Sequence, residues 1–281
     1  MPDVLVVDGP HGIARRGVAW RIHRERVVLA GWGRAILLQL AHPMVARGVA
    51  EHSAFTTERW GRLRRLQQTV HSMLALTFGP PDAAARVASR INAIHDRVHG
   101  HLGEAAGGAP AGAAYSAHDP ALLAWVHATL VDSQLVAYRL FVGPITPADA
   151  DRYCVEASGI EPLLGIPEGR LPRTVAELQA YLESMLASGA LEVTDTARSL
   201  SREILGVSAP LPLRPALRLA ALPAVGLLPA GLRAAYGLSW DRRRARALHI
   251  LAAAVRHALP LTPPVLRYWA VARRAEGGLR P

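Results

Sequence analysis

Lysine is absent from this chain: its 32 lysine-or-arginine positions are all arginine. The net charge of +10 and pI near 10.9 would suit a nucleic-acid regulator. However, the arginines are scattered, with short clusters such as those at 62–65 and 242–246. There is no long basic tail and no DNA- or RNA-binding signature, so a compositional bias explains the charge more simply and no nucleic-acid partner is expected. Cysteine is nearly absent too. Cys154 stands alone, which excludes an intramolecular disulfide and a cysteine-built metal site. Aromatics make up only 5% of the residues, so the core must be built from alanine, leucine and valine. Long β-branched runs are missing, and an Ala/Leu-rich interior favours helix. Clean apolar runs of membrane-span length are also missing: Arg34 interrupts the best early one, and Arg218 with several prolines interrupts the late one. The first residues include acids and no long apolar region, unlike a secretory signal. A cytoplasmic protein is expected, with peripheral membrane contact left open because an arginine-rich face attracts anionic lipid.

Several catalytic signatures are also lacking. No Glu-x-x-His supports a di-iron bundle, and His95 and His99 form an i, i+4 pair without the glutamate of a zincin. There is no Walker loop, no GxSxG elbow and no strand ahead of Gly31-Trp32-Gly33 to make it a dinucleotide fingerprint.

What is present is an all-α chain of 281 residues, read as a single large helical domain over 1–281, globin-like in general character. Residues 1–25 read as an irregular arm with Trp20 as an anchor. In 26–53, Gly31 and Gly33 call for a close neighbour, and Pro43 should break the helix after His42. Residues 59–100 read as two helices joined at Gly79-Pro80-Pro81. The first carries Leu63, Leu66, Val70, Met73 and Leu74 at helical spacing, flanked by Arg65 and Thr69 one turn apart. The second carries Val87, Ile91, Ile94, Val98 and Leu102, with His95 on the same inward face. Residues 104–118 read as a Gly/Ala loop. Asp119 with Pro120, Thr146 with Pro147, and Thr174 with Glu177 are helix starts. Five prolines from Pro210 to Pro229 forbid one long helix in the apolar segment 208–231, which should fold as short helices over the body and line the substrate entrance. Trp240 to Leu259 reads as the last long helix.

Twelve histidines in an apolar helical body suit a cofactor held by imidazole, with haem the natural candidate. By composition alone, an inward histidine is more often a hydrogen-bonded core residue than a ligand.

Four segments sharpen this reading: LLQLAHPMVARGVAEHS, RLRRLQQTVHSMLALTFG, INAIHDRVHG and YSAHDPALLAWVHATLVDSQLVAY, followed by LLPAGLRAAYGLSW. In order and spacing they resemble the MpaB-type and latex-clearing-type oxygenase family, formerly a domain of unknown function, over about 26–275. The resemblance implies an all-α fold enclosing one haem b and O2-dependent attack on apolar substrates, notably isoprenoid double bonds. It places the proximal iron ligand on His95, with His99 as the competing match. It places the arginine-x-x-x-threonine pair on Arg65 and Thr69, both catalytic and cofactor-binding, and the distal glutamate on Glu51. As a base, Glu51 would need a partly buried carboxyl with a raised pKa. Where some latex-clearing members carry a lysine that can cap the iron, this chain has Gln68. With no export signal expected, a small lipophilic intracellular metabolite is a better substrate than rubber. The alternative is a haem- or lipid-binding helical protein without turnover.

Overall fold

A computed structural model describes residues 17–52, 61–206 and 214–277, with side chains left out at 61–66 and 214. The first helix, α1 (Val18–His23), already corrects the expected irregular arm. Trp20 is buried as anticipated, edge-on to Phe78 with 4.6 Å between ring centroids. A 3-10 turn over Arg26–Gly31 leads into α2 (Trp32–Leu40), and the expected break falls at Pro43, where α3 (Pro43–His52) begins.

The glycines of this segment do have close neighbours. A Cβ on Gly31 would stand 2.4 Å from the Ser133 carbonyl oxygen, and one on Gly33 2.6 Å from Ala224 Cβ. Side-chain-free positions therefore let the turn and α2 press against two other helices.

Helices α4 (Gly61–Phe78) and α5 (Pro81–His95) pack together across the Gly79-Pro80 break, with Pro81 at the first helical position. The second helix is shorter than its apolar spacing suggested. It stops at His95, and the following backbone turns: Arg97 N–H donates to the Ile94 carbonyl and Val98 N–H to that of His95. Val98 and Leu102 leave the helix, and Ile94 is 46% exposed; the buried stripe is Ala84 and Ala88, with Ile91 partly covered. The chain instead forms a two-stranded antiparallel hairpin: β1 (His99–His101) replaces the expected end of the helix, and β2 (Ala114–Ser116) lies in the stretch read as a loop. The hairpin wins because Tyr115 lies on Gly100, where a Cβ would stand 2.8 Å from its hydroxyl, and also on Gly48 of α3. Leu102 is buried all the same, beyond a strand rather than on a helix.

The central element is α6 (Pro120–Phe141), buried on most of its circumference. Its start follows the sequence: the Asp119 carboxylate accepts from Ala121 N–H at 2.7 Å. The next helices are α7 (Pro147–Ser158), capped by Thr146, and the short α8 (Glu161–Leu164). Helix α9 (Val175–Ala187) opens on a complete Thr174/Glu177 capping box, and α10 (Asp195–Ile204) follows. The proline-broken segment supplies α11 (Arg214–Gly226), with Pro223 inside it, and α12 (Ala230–Ala235). Short helices were expected there, and α11 packs on α2 and α13. The chain ends in α13 (Arg242–Ala258), α14 (Pro264–Arg267) and α15 (Ala270–Gly277). One main apolar cluster joins residues of α1, α2, α6, α7, α9, α10 and α12, among them Ile22, Leu37, Trp125, Leu135, Leu178 and Leu232.

Candidate cofactor site

His95 is the last residue of α5, partly buried. Its Nδ1 is enclosed and has no hydrogen-bond partner. One turn earlier on the same face, Asn92 donates its amide to the Leu163 carbonyl at 2.8 Å, but its own Oδ1 is also buried and unpartnered. Burial lowers the His95 pKa first, and the nearby His118 ring adds to it, so the neutral imidazole is favoured. The His118 ring stands edge-on to His95 at 5.7 Å between centroids, and its Nε2 meets Asp96 Oδ1 at 2.8 Å.

The other histidines divide by what their rings already hold. His23 has both nitrogens engaged, Nδ1 with Thr77 Oγ1 at 2.8 Å and Nε2 with Gln134 Oε1 at 2.7 Å and Tyr153 OH at 2.9 Å. The Tyr153 hydroxyl also donates to Gln134 Oε1. Burial pushes the His23 pKa down to about 4, and does the same to His127, whose ring is tied to the Ala157 backbone. His99 is exposed on β1, where its carbonyl accepts from His52. His42, at the end of α2, resembles His95 in keeping a buried, unpartnered Nδ1 and a pKa lowered by burial. An interior imidazole with a free ring nitrogen is thus found at His95 and His42, and His23 is excluded because its ring is fully used. The His23 constellation was not legible in the sequence: its partners lie 54 to 130 residues away.

Arg65 lies within α4, and its side chain falls outside the described residues. Thr69 is on the exposed side of α4, one turn further along. The structure therefore brings these positions onto the helix that packs against the His95 helix. Glu51 sits on the last turn of α3. It accepts from the Tyr115 hydroxyl and pairs with Arg47, one turn back. The tyrosine hydrogen bond, with Arg47 behind it, holds the carboxyl below its ordinary range, opposite to the raised pKa expected of it. Through Tyr115, and through His52 Nε2 at 3.1 Å from the His99 carbonyl, the end of α3 is tied to the hairpin that starts four residues after His95.

Four buried carboxylates have structural roles. Glu156 caps α1 through Val18 and Ala19 N–H. Glu161 receives Gly169 and Leu171 N–H and Arg173. Glu25 is clamped by Arg267, and Asp132 by Arg34 at 2.7 Å. These partners explain how Arg34 can interrupt an apolar run and still be buried. Cys154 is likewise buried, its thiol pushed up to about 12.

Among the described residues, no three His, Cys, Asp or Glu side chains gather into a metal-binding group. Haem makes a different demand. The porphyrin supplies four iron ligands itself and asks the protein for one neutral imidazole in an apolar setting. His95, with its enclosed unpartnered nitrogen and depressed pKa, offers that imidazole, beside the polar side chains of Asn92, Asp96 and His118. The donor chemistry fits the group.

The described residues form an all-α body with only a short hairpin, and carry interior imidazoles at the end of α5 and just beyond α2. The chain belongs to the ER-bound oxygenase mpaB/B′ and rubber oxygenase family: the model of its catalytic domain matches residues 20–257. No curated protein and no solved structure matches. The protein thus carries an oxygenase catalytic domain, which implies O2 and a small-molecule substrate.

Proposed function

We propose that this oxygenase is haem b-dependent and acts on an apolar, isoprenoid-like small molecule, with the whole of 1–281 working as one domain. The observation that carries the reading is the His95 ring, neutral and with a buried nitrogen lacking any partner, in a chain that belongs to an oxygenase family. Bound haem would supply an iron that activates O2 for attack on a carbon–carbon double bond.

The chain's own residues then divide the work. His95 holds the iron, and its position at a helix end beside the His118 ring limits its rotation. Arg65 and Thr69 orient the oxygen side. From the turn, Arg65 is thirteen residues back along α4 from Phe78, and His95 fourteen residues along α5 from Pro81. At 1.5 Å per residue both lie roughly 20 Å from the turn, at matching levels. Glu51 is kept ionised by Tyr115 and Arg47, which makes it a weaker base than the distal role asks for, so no proton transfer is assigned to it. Gln68 cannot serve as the amine cap that a lysine offers.

The test is the visible spectrum of the protein after haemin is added, followed by oxygen uptake with a polyprenyl substrate. A one-to-one Soret-absorbing complex that consumes oxygen is expected. A protein that stays colourless overturns the reading. Haem uptake without oxygen consumption on any isoprenoid would favour the alternative, a haem- or lipid-binding protein without turnover.

A further inference from the structure

The last part of the chain has a charge pattern of its own. Between Asp241 and Glu276 there are eight arginines and no acidic residue. Helix α13 arranges part of this set on one exposed stripe: Arg243, Arg246, Ile250, Ala253 and His257, at i, i+3, i+7, i+10 and i+14. The opposite face buries Leu248 and Ala252 against the body. Ile250 is 60% exposed in the middle of the cationic stripe.

Past α13 the chain turns through Leu259–Leu261 and projects apolar side chains outward. Leu261 is 86% exposed, Leu266 63% and Val265 51%. Pro260 before them and Pro263 and Pro264 between them are exposed as well, and stiffen the projection. Its base is held firmly. Arg267 clamps the buried Glu25 through two nitrogens, at 2.6 and 2.9 Å, and also donates to the Leu259 carbonyl. A single exposed leucine needs no explanation, but a braced knob of three apolar tips that follows a cationic stripe along the chain does.

We propose that this face docks on the surface of an anionic lipid bilayer. Leu261, Val265 and Leu266 enter the headgroup–acyl boundary, and Arg243 and Arg246 lie against lipid phosphates. Charge complementarity favours this occupant, since the nearby acids are already used. Asp241 caps α13 and meets Arg244, Glu25 is clamped by Arg267, and Glu276 pairs with Arg24. A nucleic acid would be served by the arginines alone and would leave three apolar tips in water. Among the described residues no helix is long and apolar enough to cross a membrane, so this contact would be peripheral and reversible.

Cosedimentation of the full chain with phosphatidylcholine vesicles, with and without phosphatidylglycerol, tests the proposal. Binding should require the anionic lipid and weaken as salt rises. The double variant L261E/L266E should lose it. R243A/R246A should weaken it by roughly fivefold for each arginine removed. Circular dichroism verifies that both variants are folded; should the leucine pair misfold, the arginine pair carries the test. Absence of binding by the native protein, or native-like binding by the folded variants, overturns the proposal. So does a native dimer in sedimentation that L261E/L266E converts to monomer, because the face would then belong to a second copy of the chain.

Discussion

The His118 ring stands edge-on to the His95 ring, 5.7 Å between centroids, and Asp96, the residue after His95, holds it there through His118 Nε2. The ring at the end of α5 is thus backed by a side chain from the other side of the hairpin. Its own Nδ1 is left with no protein partner.

The ligand assignment follows from that orphaned nitrogen. His95→Ala should abolish stoichiometric haem binding, read at the Soret band, while far-ultraviolet circular dichroism stays helical. His99→Ala and His127→Ala should keep the cofactor. Loss of haem in His99→Ala with retention in His95→Ala would put the ligand in the hairpin, beyond the helix end. Retention in all of them would turn attention to His42, which among the described residues also has a buried unpartnered ring nitrogen.

Arg65→Ala separates binding from turnover. If the guanidinium serves the oxygen side, haem should be retained and most of the oxygen consumption lost, since a pre-organised charge near the reacting ligand is gone. Unchanged activity would show Arg65 to be a surface charge.

The buried Arg34–Asp132 pair predicts an asymmetry. Its side chains are 9% and 5% exposed, with Ser133, Gln179 and the Leu227 carbonyl completing the network. Asp132→Ala leaves a buried guanidinium uncompensated and should cost about 3–5 kcal/mol in urea unfolding. Replacing both together, as Arg34→Met with Asp132→Leu, should cost less than the Asp132 change alone.

Stability should fall in mild acid. His23 and His127 have folded pKa values near 4, below the ordinary 6.5. Above pH 6.5 both states are neutral and nothing changes. Between about 6.5 and 4 the unfolded chain binds protons that the folded one refuses, so stability drops as pH falls, by roughly 3 kcal/mol per histidine across the window. Below it the loss levels off. His23→Gln should flatten the slope of unfolding free energy measured between these limits; an unchanged slope would mean that His23 does not contribute to it.

Glycine substitutions should sort by what surrounds them. Gly31→Ala would drive a methyl to 2.4 Å from the Ser133 carbonyl and should destabilise by about 1–3 kcal/mol. Gly231→Ala on α12, with nothing within 4 Å, should be neutral or stabilise by up to about 1 kcal/mol in thermal unfolding.

The sequence by itself determined the helical class, the breaks at Pro43 and Gly79-Pro80, and the caps at Asp119, Thr146 and Thr174. Each is a contest among residues within one turn of each other, so the text alone decides it. Ala, Leu and arginine everywhere, with one cysteine, settled the chemistry of the core in the same way. Tertiary structure decided the rest. It ended α5 at His95, where the apolar spacing ran on to Leu102, because Tyr115 needed Gly100 bare and the backbone found its partners in a hairpin. It made the stretch after Gly17 a helix because Glu156, more than a hundred residues away, supplies the missing cap. It filled both nitrogens of His23, left one of His95 empty, and lowered the Glu51 pKa where a base had been expected to have a raised one. Burial, hydrogen bonding and charge at those atoms come from groups distant along the chain, and no local pattern encodes which distant group arrives.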